Sequence, residues 1–205
     1  MSPGSDKIKL KLNTTKAEIM ATSTAKHHTL IWMDLEMTGL NPDVDVILEI
    51  ATIITDDELN VIDKASPLVI HQSDDTLNQM DEWNQTHHGR SGLIDKVRSS
   101  TLNTEDAETR TLDFIKQYIK PSTGILAGNS IWQDRRFIIK HMPQLDQYMH
   151  YRMLDVSTVK ILKGLWYPDL GKDFKKKESH RALDDIEESI AELSHYRQLL
   201  FQKPE

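Results

Sequence analysis

The chain of 205 residues contains no cysteine, which removes several kinds of site at once. Disulfide bridges, cysteine-ligated zinc and a thiol nucleophile are excluded, because each requires a cysteine sulfur. The absence fits a reducing compartment, and we therefore expect a cytoplasmic protein. A mitochondrial location is the alternative, but mitochondrial targeting peptides favour arginine and the first arginine here is Arg90.

The sequence also lacks a long apolar run and an excess of positive charge. No stretch approaches the roughly 20 apolar residues that span a bilayer, so we expect no membrane segment. The net charge is −7, which argues against broad binding to long nucleic acids, because such binding relies on a basic stripe. A short anionic substrate at a local site stays compatible with this charge, since bound metal ions invert the local field.

The composition suits one globular domain preceded by an extension. With 38% hydrophobic and 28% charged residues, the chain is long enough for a sizeable core. Residues 1–27 are rich in lysine, threonine and serine and have no continuous apolar core. We therefore predict a flexible extension rather than a secretory signal over 1–27, and a folded domain over 28–205.

Hydrophobic periodicity in the folded part predicts an α/β fold. Strand patterns occur at residues 29–40, 47–55, 61–70, 124–128 and 153–155, with Pro67 indicating a bulge or an edge in the third. Helical patterns follow residues 77, 93, 104, 130, 156 and 182. A three-strand meander followed by alternating helices and short strands predicts a mixed central sheet flanked by helices.

The first strand carries two acids in an unusual setting. Alternation along the strand places Trp32, Asp34 and Glu36 on one face and apolar residues on the other. Apolar residues on both faces predict a central strand that is covered on both sides. Two carboxylates there would lose hydration, which a divalent cation compensates. Taken alone, however, a surface strand end with two solvated acids is the better interpretation.

Two later helices each bring one more acid towards the interior. Asp134 begins a stripe whose next members are Phe137 and Ile138, although a solvated first-turn aspartate explains it equally well. In the last helix, Asp185 flanks the apolar stripe, whereas Asp184 points farther away. Asp185 is therefore the better candidate to face the interior.

The four separated acids and one histidine form the set that a two-metal phosphoryl-transfer site needs. In such sites carboxylates hold two ions roughly 3.5–4 Å apart, which activate water and stabilise the leaving oxygen. His180 lies in a predicted loop before the last helix. An exposed loop histidine is its ordinary interpretation, but an imidazole with a pKa of about 6.5 can also accept the proton of the water.

Three segments resemble the motifs of the DEDD superfamily of exonucleases. They are Asp-Leu-Glu-Met-Thr-Gly-Leu at 34–40, Gly-Asn-Ser-Ile-Trp-Gln-Asp-Arg-Arg-Phe at 128–137 and His-Arg-Ala-Leu-Asp-Asp-Ile at 180–186. The step from His180 to Asp185 is similar to that of the histidine-containing branch. Within this branch the chain resembles the oligoribonuclease family from about His28 to the end, with further similar segments at 80–84 and 150–157.

The resemblance implies a ribonuclease H-like fold and a homodimer with a shared active site. It also implies two divalent cations, Mg²⁺ or Mn²⁺, and 3′-to-5′ hydrolysis of very short RNAs, dinucleotides above all, to mononucleotides. On the matching positions, the metal ligands are Asp34, Glu36, Asp134 and Asp185. His180 is the implied general base.

The resemblance further implies substrate-binding roles for Leu40, Trp83, His88, Ser130, Tyr151 and Arg152. Leu40 and Trp83 would hold the bases, although an apolar turn residue and a core tryptophan are their ordinary interpretations. The other four would close around the terminal phosphate, with Tyr151 and Arg152 contributed by the partner subunit. The spacing of Ser130 and Gln133 predicts a capping box at a helix N terminus, which is compatible with a bound anion.

Two other functions stay open at this point. An exonuclease of the same fold could trim longer RNA or DNA 3′ ends, and substrate length is a geometric property that the sequence does not determine. A non-catalytic nucleic-acid-binding subunit is the second alternative. It is disfavoured because such a subunit could lose a ligand or the histidine, and all five residues are present here.

Overall fold

The chain folds into one mixed sheet flanked by helices, as the sequence predicts. The structure is a computed structural model and describes residues 29–172, 174–175 and 182–201. Within these ranges, six strands form a sheet of order β3-β2-β1-β5-β6, and β4 pairs with β2. The strands are β1 (Leu30–Met37), β2 (Ile47–Thr55), β3 (Val61–Lys64), β4 (Leu68–Val69), β5 (Ile125–Gly128) and β6 (Met153–Asp155).

The described residues also form eight helices. They are α1 (Asp74–Asn78), α2 (Glu82–Arg90), α3 (Leu93–Ser99), α4 (Thr104–Lys116), α5 (Ile131–His141), α6 (Pro143–Tyr148), α7 (Val156–Trp166) and α8 (Ala182–Leu200). None of the helices described here has the length and apolarity needed to cross a bilayer. The predicted extension over 1–27 lies outside the described residues.

Strand β1 is the centre of the sheet and is covered on both faces. It pairs antiparallel with β2 and parallel with β5. Ile31, Met33 and Leu35 pack into one apolar cluster with side chains of α4 and α5, whereas Trp32 packs into a second cluster with α8. The predicted alternation of faces is therefore confirmed. Each such buried side chain stabilises the fold by about 1.5–3 kcal/mol.

The predicted third strand over 61–70 is two short strands instead. β3 and β4 both pair antiparallel with β2, so the predicted meander is confirmed. Pro67 lies in the gap between them. Proline has no backbone N–H to donate to a neighbouring strand, and it therefore interrupts the ladder.

The carboxyl ends of the parallel strands β1, β5 and β6 meet along one side of the sheet. We call this side, defined by Asp34 and Glu36 of β1, Ser130 after β5 and Asp155 of β6, the acidic edge. Gly128 lets β5 approach β1 closely there. A Cβ atom at Gly128 would lie 3.0 Å from the Met33 carbonyl oxygen, which is closer than an ordinary van der Waals contact, so a larger residue would push the two strands slightly apart.

Candidate active site

Three carboxylates from two distant parts of the chain converge at the acidic edge. Asp34 and Glu36 come from the end of β1, and Asp185 comes from the first turn of α8. Oxygen atoms of the three side chains all lie within 4.8 Å of one another. Asp184, the neighbour of Asp185, is exposed while Asp185 is half-buried, so the predicted orientation of this pair is confirmed. We call Asp34, Glu36 and Asp185 the acidic cluster.

Asp134 stands beside the acidic cluster and is attached to β1. Its side chain is 7% exposed, and Oδ1 accepts a hydrogen bond of 3.0 Å from the backbone N–H of Leu35. Leu35 is the residue between Asp34 and Glu36. The bond therefore holds the first turn of α5 against the strand segment that carries two of the acids.

Two carboxyl groups of the site, those of Glu36 and Asp134, hold protons more tightly than ordinary acids do. Burial raises the pKa of Glu36 most and neighbouring negative charges add to it, so that the pKa reaches about 8 instead of 4.5. Those charges belong, in decreasing order of effect, to Asp185, Glu49 and Asp134. Burial also raises the pKa of Asp134 to about 7, although the Leu35 N–H opposes the change. A divalent cation would relieve this repulsion, which favours a metal site here.

Because of these raised pKa values, we expect the metal-free protein to lose stability between about pH 5 and pH 8. Folded Glu36 keeps a proton that the unfolded chain releases above pH 4.5. Its contribution to the free energy of unfolding is therefore full below pH 4.5 and is lost as the pH rises through about 8. One such proton corresponds to a slope of up to about 1.4 kcal/mol per pH unit.

Urea unfolding at pH 5, 6.5 and 8, with EDTA or with Mg²⁺, measures this slope. Mg²⁺ should flatten it, because the cation takes the place of the protons. Glu36→Gln should flatten it without metal. A slope that neither change alters would contradict the assignment of these pKa values.

Leu40 is presented to solvent by a closed turn. Its side chain is 69% exposed. The carboxylate of Asp45 accepts hydrogen bonds from the Thr38 hydroxyl at 3.0 Å and from the Asn41 N–H at 2.9 Å. The turn needs Gly39, because an added Cβ would lie 2.5 Å from Oδ2 of Asp45.

Helix α5 holds the same turn from the other side. The Gln133 side-chain amide donates a 2.6 Å hydrogen bond to the carbonyl oxygen of Leu40. Gln133 is the residue before Asp134, so one helix positions both a candidate metal ligand and a candidate base contact. Sequence reasoning missed this role of Gln133, because 93 residues separate the two partners.

His88 is buried next to the acidic cluster. It is 2% exposed, with Nε2 lying 3.0 Å from the carbonyl oxygen of Met37 and Nδ1 lying 3.8 Å from Oε2 of Glu36. Burial lowers the pKa of His88. Among the described residues, no hydrogen-bond partner reaches Nδ1. The structure therefore places an unsatisfied polar atom beside a carboxylate of the cluster.

Trp83 lies on the same helix as His88 but on its outer side. Its side chain is 68% exposed, so the interpretation as a core tryptophan is excluded. Asp81 caps the helix by accepting a 2.8 Å hydrogen bond from the Asn84 N–H. An exposed indole on a capped helix is available to stack on a ligand.

Ser130 occupies the expected place before α5, but the predicted capping box is wrong. The backbone of Ser130 is left-handed, with φ +50°, and its side chain makes no capping hydrogen bond. The Ser130 N–H donates instead to Oδ1 of Asp155 at 2.9 Å and to Oγ of Ser157 at 3.0 Å. Gln133, the other half of the predicted box, is bonded to Leu40.

The junction of β6 and α7 therefore fixes a strained serine at the acidic edge. Such a conformation costs a non-glycine residue about 1–3 kcal/mol, and it persists where neighbours over-determine it. The Ser130 and Ser157 hydroxyl oxygens lie 3.3 Å apart. Sequence reasoning assigned no role to Ser157, although it belongs to the segment 150–157 that resembles the oligoribonuclease family.

Tyr151 and Arg152 lie at the opposite end of the parallel strands from the acids. Met153 of β6 is level with Leu126 of β5, which is level with Ile31 of β1. Tyr151 and Arg152 precede β6 and so lie towards the end of the sheet where β1 begins, whereas Asp34 and Glu36 lie where β1 ends. The Tyr151 carbonyl oxygen accepts a 2.8 Å hydrogen bond from Nη1 of Arg135 in α5. Tyr151 is 71% exposed, and the Arg152 guanidinium lies 5.3 Å from its ring centroid. The structure does not bring these two residues to the acidic cluster of their own chain.

The predicted general base, His180, lies outside the described residues. It is separated by one residue from the start of α8, which carries Asp185 in its first turn. Its role stays a prediction.

Comparison with known proteins places these features in a family. The model of a family described as Exonuclease matches residues 31–193. The chain therefore belongs to the exonuclease family, a family of hydrolytic nucleases. The fold agrees, since Exonuclease I superimposes with a TM-score of 0.64 at 17% identity over 85% of this chain and 43% of that chain. Exonuclease I from E. coli, in complex with a dA16 oligonucleotide, gives 0.64 at 17% identity over 84% and 41%. The shared fold is ribonuclease H-like, as predicted.

Two curated relatives define the position within this family. A protein named oligoribonuclease from Ectopseudomonas mendocina is 56% identical over 171 residues, which are 83% of this chain and 95% of the relative. A second oligoribonuclease, from Shewanella sp. (strain ANA-3), is 53% identical over 178 residues, which are 87% of this chain and 98% of the relative. Within the exonucleases, the chain is a member of the oligoribonucleases, which confirms the resemblance seen in its motifs.

Proposed function

We propose that the chain is a metal-dependent 3′-to-5′ exoribonuclease that hydrolyses very short oligoribonucleotides, dinucleotides above all, to mononucleotides. The observation that carries the proposal is the acidic cluster, whose three carboxylates lie within 4.8 Å of one another at the end of a central strand. The names of the relatives support a short RNA substrate.

Asp34, Glu36, Asp134 and Asp185 would hold two divalent cations, Mg²⁺ or Mn²⁺. Their carboxylate oxygens are the hard ligands that these ions prefer. Burial and neighbouring negative charges raise the pKa values of Glu36 and Asp134, and both causes favour a bound cation. The bound ions would supply an activated water and charge stabilisation at the leaving oxygen. Leu35 keeps Asp134 in register with the strand.

His180 would accept the proton of the attacking water. Histidine is suited to this task, because its ordinary pKa of about 6.5 lets it take up and release protons near neutral pH. In the sequence it comes two residues before the helix that carries Asp185.

Leu40 and Trp83 would hold the bases. Both side chains are more than two-thirds exposed, and both lie on segments attached close to the cluster, through Gln133 and His88 respectively. Stacking on an aromatic ring is worth about 1–3 kcal/mol per base. That contribution is large for a ligand with only two bases.

His88 and Ser130 would contact the terminal phosphate of the substrate. Both residues would belong to the same subunit as the metal-binding acids. Nδ1 of His88 has no hydrogen-bond partner among the described residues. With Nε2 bonded to the Met37 carbonyl, Nδ1 donates to a phosphate only when the ring is cationic. Burial lowers the pKa of His88 in the empty site, and the negative charge of a bound phosphate would oppose that change. A pocket that closes around a chain end favours short substrates, because a longer RNA continues where the pocket encloses the end.

Tyr151 and Arg152 would complete this pocket from the partner subunit of a homodimer. Their place before β6, towards the end of the sheet where β1 begins and away from the end that carries the acids, supports a contribution in trans. Helix α7, which begins after β6, has an exposed apolar surface suited to a second copy. Its Ile161, Leu165 and Trp166 are 59%, 68% and 67% exposed.

The decisive test of the substrate class is a length series. We expect kcat/KM to be highest for a 5′-labelled RNA dinucleotide and to fall at least about tenfold for RNAs of seven or more nucleotides, since a lost hydrogen bond to a charged group is worth about 1.5–3 kcal/mol. Activity should require Mg²⁺ or Mn²⁺ and should disappear with EDTA.

DNA counterparts of each length form the control series. Equal rates at every RNA length would contradict a pocket that encloses the terminal phosphate. Such a result would favour an enzyme that trims longer RNA. Faster cleavage of DNA than of RNA would favour processing of DNA 3′ ends. Binding of RNA without hydrolysis, in the presence of either Mg²⁺ or Mn²⁺, would contradict nuclease activity and would favour a non-catalytic nucleic-acid-binding subunit.

A further inference from the structure

The exposed ring of Trp83 is not alone on its helix. The imidazole of His87, one helical turn further on, stacks on the indole with ring centroids 4.7 Å apart and an interplanar angle of 8°. Residues at positions i and i+4 of a helix are neighbours on its surface, and a parallel arrangement at this distance is a favourable aromatic geometry. His87 therefore covers one face of the indole and leaves the other face for a ligand.

A second aromatic contact leads from His87 towards the acidic cluster. His87 and His88 meet edge to face, with centroids 5.6 Å apart and an interplanar angle of 77°. His88 in turn lies 3.0 Å from the Met37 carbonyl and 3.8 Å from the carboxylate of Glu36. Three neighbouring rings thus connect the exposed indole to a candidate metal ligand. We call Trp83, His87 and His88 the aromatic ladder.

The aromatic ladder runs from an exposed ring to a buried one. His88 is the helix's buried residue, and Trp83 is largely exposed. An exposed indole without a neighbour would sample several rotamers, and a base that binds it would have to immobilise the side chain. Fixing one flexible side chain before binding improves affinity about two- to tenfold.

We propose that His87 is a positioning residue for substrate binding. It holds the indole of Trp83 in the orientation that accepts a base, at a fixed distance from the acidic cluster through His88. The ligand class is a nucleobase of a short RNA, so the inference rests on the proposed function. His87 contacts the tryptophan ring, so it would act on the substrate through Trp83.

The test uses His87→Ala and His87→Phe in the full-length protein. His87→Ala should raise KM for an RNA dinucleotide about two- to tenfold and leave kcat within about twofold, because the chemistry of the cluster is untouched. His87→Phe should restore most of the affinity, because a phenyl ring can stack on the indole as imidazole does. Thr86→Ala, an exposed position on the same helix, is the matched control and should change neither constant. Thermal unfolding of each variant checks the fold.

A double-mutant cycle with Trp83→Ala separates this role from a general structural one. If His87 acts through Trp83, His87→Ala should add nothing to the KM of the Trp83→Ala variant. A KM for the double variant that is raised by the product of the two single effects would overturn the role of His87. An unchanged KM in His87→Ala alone would do the same, and both results would leave the proposed function intact. An unchanged KM in Trp83→Ala would overturn both the base-binding role of Trp83 and the inference built on it.

Discussion

Asp185→Asn should lower the turnover of an RNA dinucleotide about a thousand-fold, whereas Asp184→Asn should leave it within about twofold. Asp185 supplies an oxygen to the acidic cluster, and its neighbour is exposed. Charge stabilisation by a bound metal is worth several kcal/mol, and each 1.36 kcal/mol is a factor of ten in rate. An exposed substitution typically changes a free energy by less than about 0.5 kcal/mol.

The two variants make the same chemical change. The positions differ only in the direction in which the side chain leaves the helix. Both replace a first-turn aspartate of α8, so both weaken the same favourable interaction with the helix dipole. Initial rates at saturating Mg²⁺, with circular dichroism and thermal unfolding of each variant, measure the effect. Comparable rates for the two variants would remove Asp185 from the metal site.

Isothermal titration calorimetry of Mn²⁺ tests the same assignment without turnover. The wild-type protein should bind the metal and release protons, because raised carboxyl pKa values mean that the cation displaces them. Asp185→Asn should weaken this binding, and Asp184→Asn should preserve it. Unchanged binding by Asp185→Asn would show that the lost rate has another cause.

Tyr151→Ala should lower kcat/KM about 10- to 100-fold, and mixing it with Asp185→Asn should restore activity. A hydrogen bond to a charged phosphate is worth about 1.5–3 kcal/mol. In a mixed dimer, one site combines intact acids from the Tyr151→Ala subunit with Tyr151 from the Asp185→Asn subunit. Random mixing makes half of the dimers mixed, each with one intact site, so about a quarter of the wild-type activity should return.

Restored activity in a mixture requires subunit exchange, so the two variants are best co-expressed with different affinity tags and purified in tandem. Tandem purification removes both parent homodimers, and the purified mixed dimer should then show about half of the wild-type activity. Light scattering should show that each variant alone forms a dimer. Activity of the mixture no greater than the average of the two parents would contradict a shared site. A wild-type monomer with full dinucleotide activity would contradict it independently.

The local pattern of β1 was readable from sequence because it depends on neighbours along the chain. Alternate residues of a strand must face opposite sides, and this alone predicts the separation of Trp32 from Met33 into two apolar clusters. The different orientations of Asp184 and Asp185 follow in the same way from the helical period. These features need no knowledge of what lies opposite.

The prediction of a capping box was wrong because it used only the local spacing of Ser130 and Gln133. Serine three residues before glutamine is a common start of a helix, but Asp155 and Ser157, which hold the Ser130 N–H, are more than 20 residues away along the chain. Gln133 makes its own contact with Leu40, 93 residues distant. Long-range hydrogen bonds of this kind outweigh a local preference worth about 1 kcal/mol.

The sequence by itself determined the α/β fold, the two-sided burial of β1 and the identity of the acids, because residue type and periodicity are local properties. Only the tertiary structure decided that Asp34, Glu36 and Asp185 meet within 4.8 Å. It also decided that Tyr151 lies at the opposite end of the strands and that His87 stacks on Trp83. The register between strands and the packing of helices on the sheet decide such distances, and both depend on contacts between residues that are far apart in the chain.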